Sequence, residues 1–135
     1  MTYLWSDAWL LQAVAVASQS HAATLDEVLG AADAVNHAMP TWDELHGALV
    51  RLTAGGVVEE VEERFRLTGQ VPPDVSAALV GGCQRGRDAA SKYLGAEDWS
   101  PERNVRDPRN NVHYPGLTPE RIRRAERRYR RRHSR

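Results

Sequence analysis

At Gly55-Gly56 the hydrophobic pattern of this chain changes period, and no other feature restricts its possible folds as much. Upstream, apolar residues recur three and four apart, as they do on one face of a helix. Ser6 is placed to cap a first helix, with Asp7 in its first turn and Ala8, Leu11, Val14 and Ala15 on its inner face. Thr24-Leu25-Asp26-Glu27 is a capping box, in which Thr24 and Glu27 satisfy each other's backbone donors. It opens a second helix with Leu25, Val28, Leu29, Ala32 and Val35 on one side, closed by the run from Asn36 to Pro40. Thr41-Trp42-Asp43-Glu44 repeats the box and opens a third helix, striped by Trp42, Leu45, Leu49 and Leu52 with Ala48 alongside. The glycine pair then stops it, supplying the left-handed backbone that helix ends favour. Downstream, 57–61 and 65–68 read as two short strands around a tight turn near Glu62-Glu63-Arg64.

Three helices followed by a β-hairpin resembles the winged helix-turn-helix superfamily over residues 6–69, most closely where the third helix passes through Leu52, Gly55 and Gly56 into Val57-Val58. The resemblance implies a mainly α fold with a small β-hairpin, a winged-helix domain over 1–70. It also implies that the outer side of the third helix enters the DNA major groove while the wing tip reaches the backbone. Carried onto this chain, those positions are Thr41, Asp43, Glu44, His46, Gly47 and Arg51, then Glu62, Glu63 and Arg64. Of these, Thr41, His46, Arg51 and Arg64 have the chemistry for such contacts. Carboxylates outnumber arginines on the surface, which opposes docking on a line of phosphates.

Val71-Pro72-Pro73-Asp74 breaks the chain ahead of a post-wing helix, 75–94, within a segment 71–95. Its small residues, Ala77, Ala78, Gly81, Gly82, Gly86, Ala89 and Ala90, allow a close helix neighbour. In winged-helix regulators the helix after the wing commonly forms the dimer. A homodimer through 75–94 and packing back onto the same domain both fit this composition. Residues 96–117 read as an irregular linker rich in Asp, Asn and Pro, with Trp99, Val105, Val112 and Tyr114 as anchors for a groove. Thr118-Pro119-Glu120 starts a final helix, so that 118–135 is a helical tail.

That tail carries the strongest functional signal. Residues 1–70 hold three basic against ten acidic side chains, a balance of −7, and residues 71–135 hold fifteen against eight, a balance of +7. In the tail Arg121, Arg123, Arg124, Arg127, Arg128, Arg130, Arg131 and Arg132 surround a narrow apolar stripe of Ile122, Ala125 and Tyr129. Guanidinium groups are planar, permanently charged, and able to grip phosphate or carboxylate with paired hydrogen bonds. The expectation is a nucleic-acid-associated, regulator-like binding protein in which the tail supplies most of the phosphate contacts. The competing reading is a non-catalytic adaptor whose tail docks on an acidic surface, either its own or a partner's.

Other function classes have less behind them. The histidines at 21, 37, 46, 113 and 133 are scattered, and Asp33, His37 and His46 lack zinc-site spacing. Gly81-Gly82-Cys83-Gln84-Arg85-Gly86-Arg87 lacks the preceding strand and the Lys-Ser/Thr ending of a phosphate loop. A single cysteine, Cys83, permits no internal disulfide. No enzyme activity, cofactor or metal is expected. With neither a basic-apolar leader nor a membrane-length apolar run, a cytoplasmic location is the sequence expectation.

Overall fold

The computed structural model of the chain describes residues 2–106 and 118–133, without the side chains of Val105, Arg106 and His133; 107–117 lie outside the described residues, and so do the expected anchors Val112 and Tyr114. The described part is mainly helical with one small antiparallel sheet. Its order is α1 (Trp5–Ala17), α2 (Leu25–Asn36), α3 (Trp42–Ala54), β1 (Val58–Val61), β2 (Arg64–Leu67), α4 (Pro73–Leu79), α5 (Cys83–Leu94), α6 (Pro101–Arg106) and α7 (Pro119–His133). No described helix is long and apolar enough to cross a membrane.

The core forms around α1, whose residues from Ser6 to Ala15 are all buried. It packs against α2, α3, α4, α5 and β2. Being covered all round, α1 is apolar on most sides rather than on one stripe. It starts one residue before the expected cap: Ser6 is inside the helix, and the Asp7 carboxylate accepts the Leu4 amide at 2.9 Å. Trp9 is buried, and its indole donates to the Ala32 carbonyl of α2 at 2.9 Å. Both Thr–Glu boxes form as the sequence predicts, with Thr24 and Thr41 accepting from the amides of Glu27 and Glu44.

The hairpin turns on two residues, since Val61 pairs with Arg64. Its central residues Glu62 and Glu63 have φ of 53° and 65°. A two-residue turn with both φ positive matches the right-handed twist of the strands, although glutamate suits it poorly. Near its turn the hairpin gains a third partner: Ala23, in the α1–α2 connection, exchanges backbone bonds of 2.8 and 2.7 Å with Phe65. Phe65 is fully buried.

Two sequence expectations are corrected. The single helix expected over 75–94 is two, α4 and α5, separated at Val80-Gly81-Gly82, where Gly82 takes φ 121°. Gly81 and Gly82 serve that turn, and Gly86 and Ala90 pack closely within the chain. A Cβ on Gly86 would fall 2.3 Å from the Leu79 carbonyl and 2.5 Å from Gln12, and Ala90 is fully buried. Ala77, Gly81 and Gly82 are exposed. Second, the segment expected to be irregular begins with structure. Glu97 bridges to Leu4 in parallel, through Trp5 N–H to Glu97 O at 2.6 Å and Glu97 N–H to Tyr3 O at 3.0 Å, and α6 follows.

Candidate anion-binding face on the C-terminal helix

The third helix is buried along much of its length. Of its expected apolar stripe Leu45, Ala48, Leu49 and Leu52 are buried but Trp42 is exposed, and Gly47, Val50 and Arg51 on the other side are buried too. Arg51, expected as a DNA contact, is 0% exposed and grips Asp7 with two bonds, Nε to Oδ2 at 2.7 Å and a terminal nitrogen to Oδ1 at 2.9 Å. Its other terminal nitrogen donates to Asn104 Oδ1 of α6 at 2.9 Å. Gly47 makes room for this arrangement: a Cβ there would lie 2.3 Å from the Asn104 oxygen and 2.7 Å from the guanidinium. Tying down a buried arginine needs both a carboxylate and further acceptors, and α1 and α6 supply them.

The other three positions expected on that surface are also engaged. Thr41 is exposed, but its hydroxyl serves the helix cap. His46 is half-buried, edge-on to the exposed Trp42 with ring centroids 4.1 Å apart, and burial pushes its pKa below the usual histidine value. Arg64 at the hairpin donates to the Ala22 carbonyl at 3.2 Å, and it lies 4.0 Å from Glu27. The four positions therefore do not form one cationic surface.

The tail arginines do form one, after a division of labour. Helix α7 lies on α2 and the hairpin. Ile122 and Ala125 are buried there, and the Tyr129 ring rests on Gly30, where any Cβ would meet it at 2.9 Å. The Tyr129 hydroxyl donates to Asp33 Oδ2 at 2.7 Å, and this bond to a carboxylate raises the phenol pKa. Arg121 is the deepest cation of the tail: it bonds Glu60 at 2.7 Å and the Glu63 carbonyl at 2.9 Å, and its guanidinium sits 5.6 Å from the Phe65 ring centre. Arg132 and Arg128 approach the buried Asp26 at 3.0 and 3.9 Å.

These three inner arginines line a cleft of about 630 Å³ between α7, the hairpin turn and the start of α2. Arg64 lines it as well, opposite Asp26, Glu27, Glu62 and Glu63, so four arginines face four carboxylates and the cleft is not a purely cationic site. The remaining arginines lie elsewhere on the helix. Arg130 pairs with Glu126 one turn away at 2.7 Å, and Arg131 is exposed. Arg123, Arg124 and Arg127 are exposed and make no ion pair or side-chain hydrogen bond among the described residues.

The acceptor face on α2 was not read from the sequence, though a signal for it was there. Asp26, Gly30 and Asp33 stand four and three apart beside the apolar stripe, so two acids bracket a residue small enough to admit an aromatic ring. Asp33 is thereby engaged by Tyr129, and no cluster of three or more metal-binding side chains occurs among the described residues. Trp99, the anchor expected in the linker, is half-buried, and its indole nitrogen has no hydrogen-bond partner among the described residues. Compared with protein-family models, curated proteins and solved structures, the chain matches none of them.

Proposed function

We propose that this protein is a non-catalytic, nucleic-acid-associated binding module of winged-helix type, in which the outer side of the docked α7 is the phosphate-binding element. The carrying observation is the division of the tail. Its apolar and inner cationic residues are spent on α2 and the hairpin, yet Arg123, Arg124 and Arg127 remain presented to solvent on a supported helix. Support for the winged-helix assignment comes from the element order and from the closing of the hairpin on the α1–α2 connection through Ala23 and Phe65. The usual mode of that class, insertion of the third helix, is not part of the proposal, because Arg51 and Val50 are buried.

A fixed row of guanidiniums suits the sugar–phosphate backbone. Each phosphate it neutralises releases condensed counterions, which makes the affinity strongly salt-dependent and indifferent to sequence. The test is fluorescence anisotropy of labelled nucleic acid with the full chain across a salt series. Binding that weakens steeply with salt is the expected result; no binding at low salt removes the proposal. The adaptor reading keeps one specific observation in its favour, since the inner flank is already a basic surface seated on carboxylates of the same chain.

A further inference from the structure

Resting on that reading, we infer that the partner is the backbone of a double helix, touched by Arg123, Arg124 and Arg127 while the inner flank stays clasped. Successive residues of a helix are rotated by about 100°. Arg123, Arg124 and Arg127 consequently share the side opposite Ile122, Ala125 and Tyr129, together with Arg131, which is exposed but already has a partner, whereas Arg121, Arg128 and Arg132 share the flank turned to the hairpin and Asp26. Binding on the outer side then requires no undocking.

The choice of a duplex follows from what the face lacks. Proteins that hold single strands without sequence preference stack bases on aromatic rings. The aromatic residue of α7 is Tyr129, and it is turned inward, with its ring on Gly30 and its hydroxyl on Asp33. What remains outward is cationic, with no described ring for a base to stack on, so affinity comes from charge density. A double helix presents more of that per unit length than a single strand. DNA and RNA duplexes share this chemistry.

Anisotropy with duplex DNA, duplex RNA, single-stranded DNA and polyglutamate separates the possibilities. Three neutralised phosphates give a slope of about −2.7 in log affinity against log salt, so that a fourfold rise in salt weakens binding about 40-fold. Duplexes of unrelated sequence should bind alike and more tightly than the single strand. R123Q/R124Q/R127Q should flatten the slope toward zero with its thermal unfolding unchanged. R128Q/R132Q should keep the slope. Retention of the slope by the triple variant, its loss in R128Q/R132Q while that variant remains folded, or tighter binding of the single strand each overturns the inference but leaves nucleic-acid association standing. Absence of binding to every nucleic acid, with capture by polyglutamate or without it, removes both.

Discussion

Replacing Arg51 by methionine separates a structural arginine from a nucleic-acid contact. The guanidinium is fully buried and its charge is met by Asp7, with Asn104 accepting the other terminal nitrogen. R51M leaves the Asp7 carboxylate buried and uncompensated, although the Leu4 amide still donates to it. Breaking a buried pair from one side costs about 3–5 kcal/mol. At ~4 °C per kcal/mol for a chain of this size, the melting temperature should fall by about 12–20 °C. Replacing both charges, as D7L/R51M, removes the stranded carboxylate and should recover most of that loss. Complete recovery is not expected, because the Leu4 amide and Asn104 each lose a partner worth about 1 kcal/mol. Below its own transition, R51M should bind duplex DNA as the unaltered chain does. Calorimetry and anisotropy on the same samples decide the matter. If R51M melts within a few degrees of the parent but loses affinity, Arg51 is a contact and the burial argument is wrong.

Three further outcomes follow from the geometry. Y129F removes the 2.7 Å bond to Asp33 and should cost about 1.5–3 kcal/mol by chemical denaturation, while G30L, which intrudes on the same ring, should release α7 and lower its helicity. Exchanging Glu62-Glu63 for Asn-Gly relieves two left-handed glutamates and should raise stability by about 1 kcal/mol, with the Arg121 bond to the residue 63 carbonyl retained. His46 has a folded pKa lowered by burial, so the fold favours its neutral form. Its contribution is present above the ordinary histidine value of about 6.5 and is lost as pH falls through the lower folded value. H46Q should flatten that part of the stability-versus-pH curve, and an unchanged curve counts against the assignment.

What the sequence makes legible here is what depends on neighbours in the chain. The Thr24 and Thr41 caps, the glycine stop at 55–56, the hairpin and the start of the tail helix all rest on residues within a few positions of one another. The misplaced features depend on distant partners. Arg51 looks like a solvent-facing cation on its own helix, and it is buried only because Asp7 and Asn104, 44 and 53 residues away, converge on it. The period over 75–94 continues across Gly81-Gly82, but the contact of Gly86 with Gln12 and the Leu79 carbonyl requires the chain to turn there. The tail lies between these cases. Its opposition of charge to the first half is visible in composition, whereas which arginines would be spent on Asp26 and Glu60 depends on the angle at which α7 meets α2 and the hairpin.

Hydrogen exchange along 119–133 tests the central claim, that the arginine-rich helix is a docked and supported element. Eight arginines so close together repel one another and would fray an isolated helix. Docked through Ile122, Ala125, Tyr129 and the Arg121–Glu60 pair, the amides from about Ile122 to Tyr129 should exchange orders of magnitude more slowly than unstructured chain. That protection should diminish in G30L. Exchange of the whole segment at the unstructured rate at low salt would contradict the account, because the outer arginines would then belong to a loose arm rather than to a fixed face.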